Sequence, residues 1–131
     1  MDDVPASLPA LLYAHKIGRR AASIGFDWPA GDERVPRALR AEIDELEAAT
    51  SPGEREDELG DVLFMVVNWS RHLRVDPEAA LRRAAAKFAA RFRAVEDMAR
   101  QRSIDLSTAG FDALEKLWND AKAEASEPVD R

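Results

Sequence analysis

Glu42 and Glu45 stand three residues apart, and so do Glu58 and Asp61. On a helix that spacing turns both members of a pair to nearly the same face. Between the pairs lies Thr50-Ser51-Pro52-Gly53, a turn signal. Helices over about residues 36–49 and 53–73, joined by that turn, fold back as an antiparallel hairpin with the acidic pairs facing each other near its mouth. Four like charges held close repel one another. A hard divalent cation cancels the repulsion, and oxygen-only donors suit Mg²⁺ or Mn²⁺. Glu42, Glu45, Glu58 and Asp61 are therefore expected to be metal ligands and the carboxylates at the centre of any chemistry.

Opposite charge is available elsewhere. Arg83, Lys87 and Arg91 recur every four residues and form a basic stripe. A cation among carboxylates, set against Lys87 and Arg91, suits a polyphosphate, whose oxygens are shared between metal and side chains. Trp118, with Lys122 one turn on, can stack a base and hold a further phosphate. Asn68 follows Asp61 by seven residues, about 20° away around a helix, and so shares the carboxylate face. The expected reaction is water attack on a phosphoanhydride, with metal and carboxylates activating the water and stabilising developing charge.

The elements that must position these groups are helical. Ser7 is expected to cap a first helix that carries Pro9 in its first turn and ends at Gly25. Phe26-Asp27-Trp28-Pro29 then turns the chain, with two aromatics to anchor it on the core, and 29–35 is a loop. Leu39, Ile43 and Leu46 give the second helix, 36–49, an apolar stripe beside which Glu42 and Glu45 lie. Ser51 to Glu54 reads as a capping box, with Pro52 at the first helical position. The third helix holds the run Val62–Val67, predicted to be buried, and is expected to be central. Asp76-Pro77 starts a fourth helix with an apolar face of Leu81, Ala84, Phe88, Phe92 and Val95. A loop over 103–110 leads to a fifth, 111–125, which buries Phe111, Leu114, Leu117 and Trp118.

The chain has 131 residues and 46% hydrophobic residues, enough for one domain with a real core, ordered over about 8–123 between loose ends at 1–6 and 126–131. A net charge of −6 disfavours nucleic acid and anionic membranes as partners. Without cysteine there is neither a disulfide framework nor thiol chemistry. The acidic start and the lack of a long apolar run argue against a signal peptide or a bilayer span, and so for a cytoplasmic protein.

Glu42-Ile43-Asp44-Glu45, followed after twelve residues by Glu58-Leu59-Gly60-Asp61, resembles the paired-acid signature of MazG-type nucleoside triphosphate pyrophosphohydrolases. The likeness extends to Gly25-Phe26-Asp27-Trp28, Val67-Asn68, Arg71-His72-Leu73, Asp76-Pro77-Glu78, Lys87-Phe88, Arg91-Phe92, Leu117-Trp118 and Ala121-Lys122, which covers residues 8–123. It implies an all-α bundle of four or five helices, built on the helix hairpin and dimeric. It also implies Mg²⁺-dependent cleavage of NTPs or dNTPs to the monophosphate and pyrophosphate, as in nucleotide-pool cleansing. By that resemblance Glu42, Glu45, Glu58 and Asp61 are metal ligands, Lys87, Arg91, Trp118 and Lys122 are nucleotide contacts, and Asn68 is an addition to them. Ala41 and Ala85 stand where the family commonly has an acid and an asparagine, departures that bear on rate or substrate preference.

Plainer readings exist for each group. Paired acids on a helix are ordinarily a solvated face, Lys87 and Arg91 ordinary surface charge, and Trp118 a core residue. His15 and His72 have no metal-spaced partner and are assigned structural or exposed positions. The alternative functions are a narrower dUTPase-like or other phosphoanhydride hydrolase, and a non-catalytic helical module that binds nucleotide or a partner protein.

Overall fold

The computed structural model describes residues 1–125, so the tail from Ser126 lies outside the described residues. Five helices follow in order: α1 (Ala10–Ala22), α2 (Arg34–Ala48), α3 (Pro52–His72), α4 (Pro77–Gln101) and α5 (Phe111–Ala125). No strand occurs among the described residues. The all-α expectation holds. The chain divides into two compact units, Met1–Ala80 and Leu81–Arg131.

In the first unit α3 packs against both α1 and α2, so it is the central helix there. The capping box at its start forms as expected. Ser51 Oγ accepts the Glu54 backbone N–H at 3.2 Å, and the Glu54 carboxylate reaches back to the Thr50 backbone N–H at 3.0 Å. That double contact pulls Glu54 below its usual range, the Thr50 N–H contributing most. Its far end closes without glycine. Arg74 takes a φ of 59°, and the Val75 N–H returns to the Ser70 carbonyl at 2.9 Å, a Schellman closure. Asp76 then caps α4, accepting the Glu78 N–H at 3.0 Å.

Other expectations are corrected. Ser7 does not cap α1, which starts at Ala10 behind an extended Pro9 without a side-chain cap. The helix stops at Ala22, and Gly25 closes it as expected: with a φ of 92°, costly for any residue with a Cβ, it lets the Phe26 N–H return to the Ala21 carbonyl at 3.2 Å and gives its own N–H to the Ala22 carbonyl at 2.9 Å. α2 starts at Arg34 rather than Pro36, because Asp32 takes the Arg34 N–H at 2.8 Å and its guanidinium as well. The run Val62–Val67 is not buried as a block: only its Val67 is buried, and Leu63 is 50% exposed. Phe26 does not anchor its turn, being 80% exposed, whereas Trp28 is half-buried.

The second unit has its own core of Val95, Met98, Ala99, Leu117 and Ala121, against which Ile104, Leu106 and Trp118 pack. Burying Val95, Met98 and Leu117 stabilises the α4–α5 pair by roughly 1.5–3 kcal/mol each before entropy is charged, and the two alanines add less. Of the predicted α4 face only Val95 is buried; Leu81, Phe88 and Phe92 are exposed. Phe111 is likewise not buried but 75% exposed, at the first position of α5, where the helix has not yet reached the core.

Candidate metal centre

The capping box fixes where α3 begins, and the short α2–α3 connection brings the last turns of α2 beside the first turns of α3. One carboxylate oxygen each from Glu42, Glu58 and Asp61 lie within 4.8 Å of one another. Glu42 Oε2 and Glu58 Oε2 are shut off from solvent with no hydrogen-bond partner. Buried acceptors are nearly always satisfied, so two orphaned carboxylate oxygens in one spot call for a donor, a proton or a cation. Burial pushes the Glu42 and Glu58 carboxyls above their usual range. Glu45 adds to this in both cases, through its charge and a hydrogen bond, and Asp61 adds its charge. Three of the four predicted acids, Glu42, Glu58 and Asp61, thus meet, and Glu45 stands near enough to act on the two glutamates. Three hard oxygen donors with two unsatisfied lone-pair sites fit a divalent cation, and the Glu42–Glu58–Asp61 cluster can hold one.

Farther along α3 a second polar group forms around Asp27 and Arg71, to which the residue pattern assigned no role. Asp27, in the turn after α1, accepts from Arg71 at 2.6 and 3.0 Å and pairs with His72 Nε2 at 2.9 Å. Arg71 also donates to the Asn68 side-chain carbonyl. These side chains are largely buried: 15% exposed for Arg71, 7% for His72 and 19% for Asp27. The Arg71 guanidinium holds the Asp27 carboxyl far below the usual carboxylate range, and His72 reinforces it. The assignment of His72 as structural is therefore met. Asp27 and Arg71 are 44 residues apart, so no local periodicity couples them; the one signal was a paired-charge candidate in an aromatic turn.

Asn68 lies on α3 as expected, half-buried, and is tied to Arg71 rather than to the acids. In the second unit Arg91 sits over the Trp118 ring at 5.0 Å, and Phe88 packs on the same indole at 5.1 Å. Arg91 Nε is buried without a hydrogen-bond partner. Lys87 and Lys122 are exposed, one turn from Arg91 and Trp118 respectively. The structure thus groups Lys87, Arg91, Trp118 and Lys122 on α4 and α5.

A helix hairpin that gathers unsatisfied carboxylates at its mouth defines the class of all-α proteins with a candidate carboxylate metal centre. Comparison with known proteins narrows the class. The chain is 39% identical over 127 residues to a nucleoside triphosphate pyrophosphohydrolase of Escherichia coli, covering 93% of this chain and 48% of that protein. It is 41% identical over 115 residues to the nucleoside triphosphate pyrophosphohydrolase/pyrophosphatase MazG of Thermotoga maritima, covering 88% of this chain and 45% of that one. A third relative, the uncharacterized protein YabN of Bacillus subtilis, is 38% identical over 65 residues, half of this chain and 13% of its own length. No protein-family model matches the chain. It is homologous over about nine-tenths of its length to proteins named MazG or nucleoside triphosphate pyrophosphohydrolase, and spans about half the length of these two. No helix among the described residues is long and apolar enough to cross a membrane.

Proposed function

We propose that the protein hydrolyses nucleoside triphosphates to the monophosphate and pyrophosphate. The observation that carries this reading is the meeting of Glu42, Glu58 and Asp61 with two carboxylate oxygens buried and unsatisfied. The names of the relatives support the same reaction. Water adds across the α–β anhydride, the bridging oxygen departs with pyrophosphate, and the water's proton passes to a carboxylate of the cluster. Glu42, Glu45, Glu58 and Asp61 hold the divalent cation, which we assign as Mg²⁺ (Mn²⁺ substituting) because every donor is a hard oxygen. When bound, that cation supplies charge neutralisation at the phosphate oxygens. The carboxylates themselves orient the water and hold its proton.

Lys87, Arg91, Trp118 and Lys122 are carried as nucleotide contacts, supported by their grouping on α4 and α5. A homodimer is supported by apolar side chains left exposed in one chain, among them Leu59, Leu63 and Val66 of α3 and Phe88 of α4. A cytoplasmic location accords with the substrate. Incubation with each NTP and Mg²⁺ should release monophosphate and pyrophosphate in equal amounts. Release no greater than that of Glu58→Ala would remove the enzyme reading, and release from dUTP alone would replace it with a dUTPase.

A further inference from the structure

The first unit contains a cavity of about 570 Å³ whose walls include Ile17 and Ala21 of α1, Trp28 of the following turn, and Phe64, Met65 and Asn68 of α3. Its size and apolar walls with few polar groups are those of a small-molecule site. Its position is set by the same helix that carries the acids. Phe64, Met65 and Asn68 stand three, four and seven residues past Asp61, within about 60° of it around α3. At 1.5 Å per residue the cavity therefore begins about 4.5 Å beyond Asp61 and reaches about 10.5 Å at Asn68. An aromatic-lined space starting one turn past the carboxylates proposed to hold the triphosphate's cation is where a base belongs when a pentose spans the interval. The Trp118 ring is by contrast already packed by Arg91 and Phe88.

The polar end of the cavity has a fixed sense. Arg71 is clamped by Asp27 and donates to the Asn68 side-chain oxygen. A guanidinium has no acceptor, so the Asn68 oxygen must face it and the NH₂ must face away. Asn68 can then offer a ligand only a donor. Among the α3 side chains of the cavity only Arg71, itself purely a donor, lies farther from Asp61, so Asn68 meets the base edge farthest from the sugar, position 4 of a pyrimidine or 6 of a purine.

We propose that this cavity takes the nucleobase, and that Asn68, oriented by the Asp27–Arg71 pair, selects bases with a carbonyl at that distal edge (uracil, thymine or guanine) over those with an amino group there. The inference rests on the triphosphate lying at the carboxylates as proposed above. Two experiments test it. In the wild-type protein with saturating UMP, intermolecular NOEs should link the uracil ring protons to the Ala21 methyl and the Phe64 ring. Bound UMP that shows contacts to the Trp118 ring instead, or UMP that does not bind at all, would overturn the cavity assignment.

Kinetically, UTP should exceed CTP about tenfold in kcat/KM, and Asn68→Asp, which keeps the Arg71 contact but turns a donor into an acceptor, should reverse the order. Ala21→Trp, which fills the cavity, should lower kcat/KM for UTP at least tenfold relative to methyl triphosphate, which has no base. Equal UTP and CTP rates in both proteins, or an unchanged UTP-to-methyl triphosphate ratio in Ala21→Trp, would sink the base site and leave the hydrolase reading standing. A wild-type protein that cleaves neither compound would remove the hydrolase reading, and the UMP experiment would still decide the cavity.

Discussion

The two ends of α3 treat charge in opposite ways. Near its start Glu58 meets Glu42 and Asp61, with Glu45 close enough to act on both glutamates, and buried carboxylate oxygens go without partners. Near its end Asp27 is matched by Arg71 and His72, and a further Arg71 donor is taken by Asn68. One end is a deficit that a cation can fill. The other is a closed circuit that holds the turn after α1 onto the helix. The difference teaches that burial of charge is not by itself a functional mark. An unmet acceptor points to a missing ligand, whereas a satisfied one points to scaffolding.

The contrast can be broken most directly at the closed end. Arg71→Ala leaves Asp27 with only His72 as a side-chain partner and takes the donor from Asn68, and breaking such a largely buried pair costs about 3 kcal/mol. Thermal melting should show the loss. A Tm within a degree of wild type would mean that the circuit does not hold the turn. Ser51→Ala removes the cap that sets the start of α3 and should cost about 1 kcal/mol, read as a smaller drop in denaturant midpoint at constant m-value.

Glu58→Gln should act the other way. Without divalent cation it should relieve repulsion and raise Tm slightly, and it should abolish the upward shift expected of the wild type on adding Mg²⁺. A fall in Tm in chelator would make Glu58 a structural residue.

The smallest effect is the pH dependence. Glu42 and Glu58 have carboxyls raised above the ordinary 4.5. Their contribution favours the fold below that value and is lost as pH rises through the raised one, so in chelator they make the protein less stable near neutrality. Asp27 is depressed, so its contribution is present above its ordinary 3.8 and disappears in stronger acid. His15, lowered chiefly by burial, loses stability as pH falls below its ordinary 6.5 and works against the glutamates in the same window. The glutamate effect is therefore the difference between wild type and Glu58→Gln across about pH 5–7. A difference that vanishes on adding Mg²⁺ is expected, and one that persists would detach the raised carboxyls from the cation.

The parts of this contrast were unequally legible. Glu42, Glu45, Glu58 and Asp61 could be brought together from sequence because both pairs follow helical spacing and one capped turn joins them. α3, α4 and α5 were bounded well because Ser51, Asp76 and Gly110 mark their starts. The start of α1 was misjudged because Pro9 itself takes the N-cap position. Exposure of Leu63, Phe64 and Phe88 could not be read, since an apolar stripe says that a side chain needs cover but not whether the same chain supplies it. The Asp27–Arg71 contact joins a turn to a helix end through tertiary packing, which residue spacing does not encode.

The acidic set draws all its members from residues 42–61, two adjacent helical segments and the bend connecting them. Short-range pairings form early because little chain must be immobilised to make them. The candidate ion site thus needs no residue outside that span, and a cation taken up there would stabilise the α2–α3 hairpin over the unfolded chain.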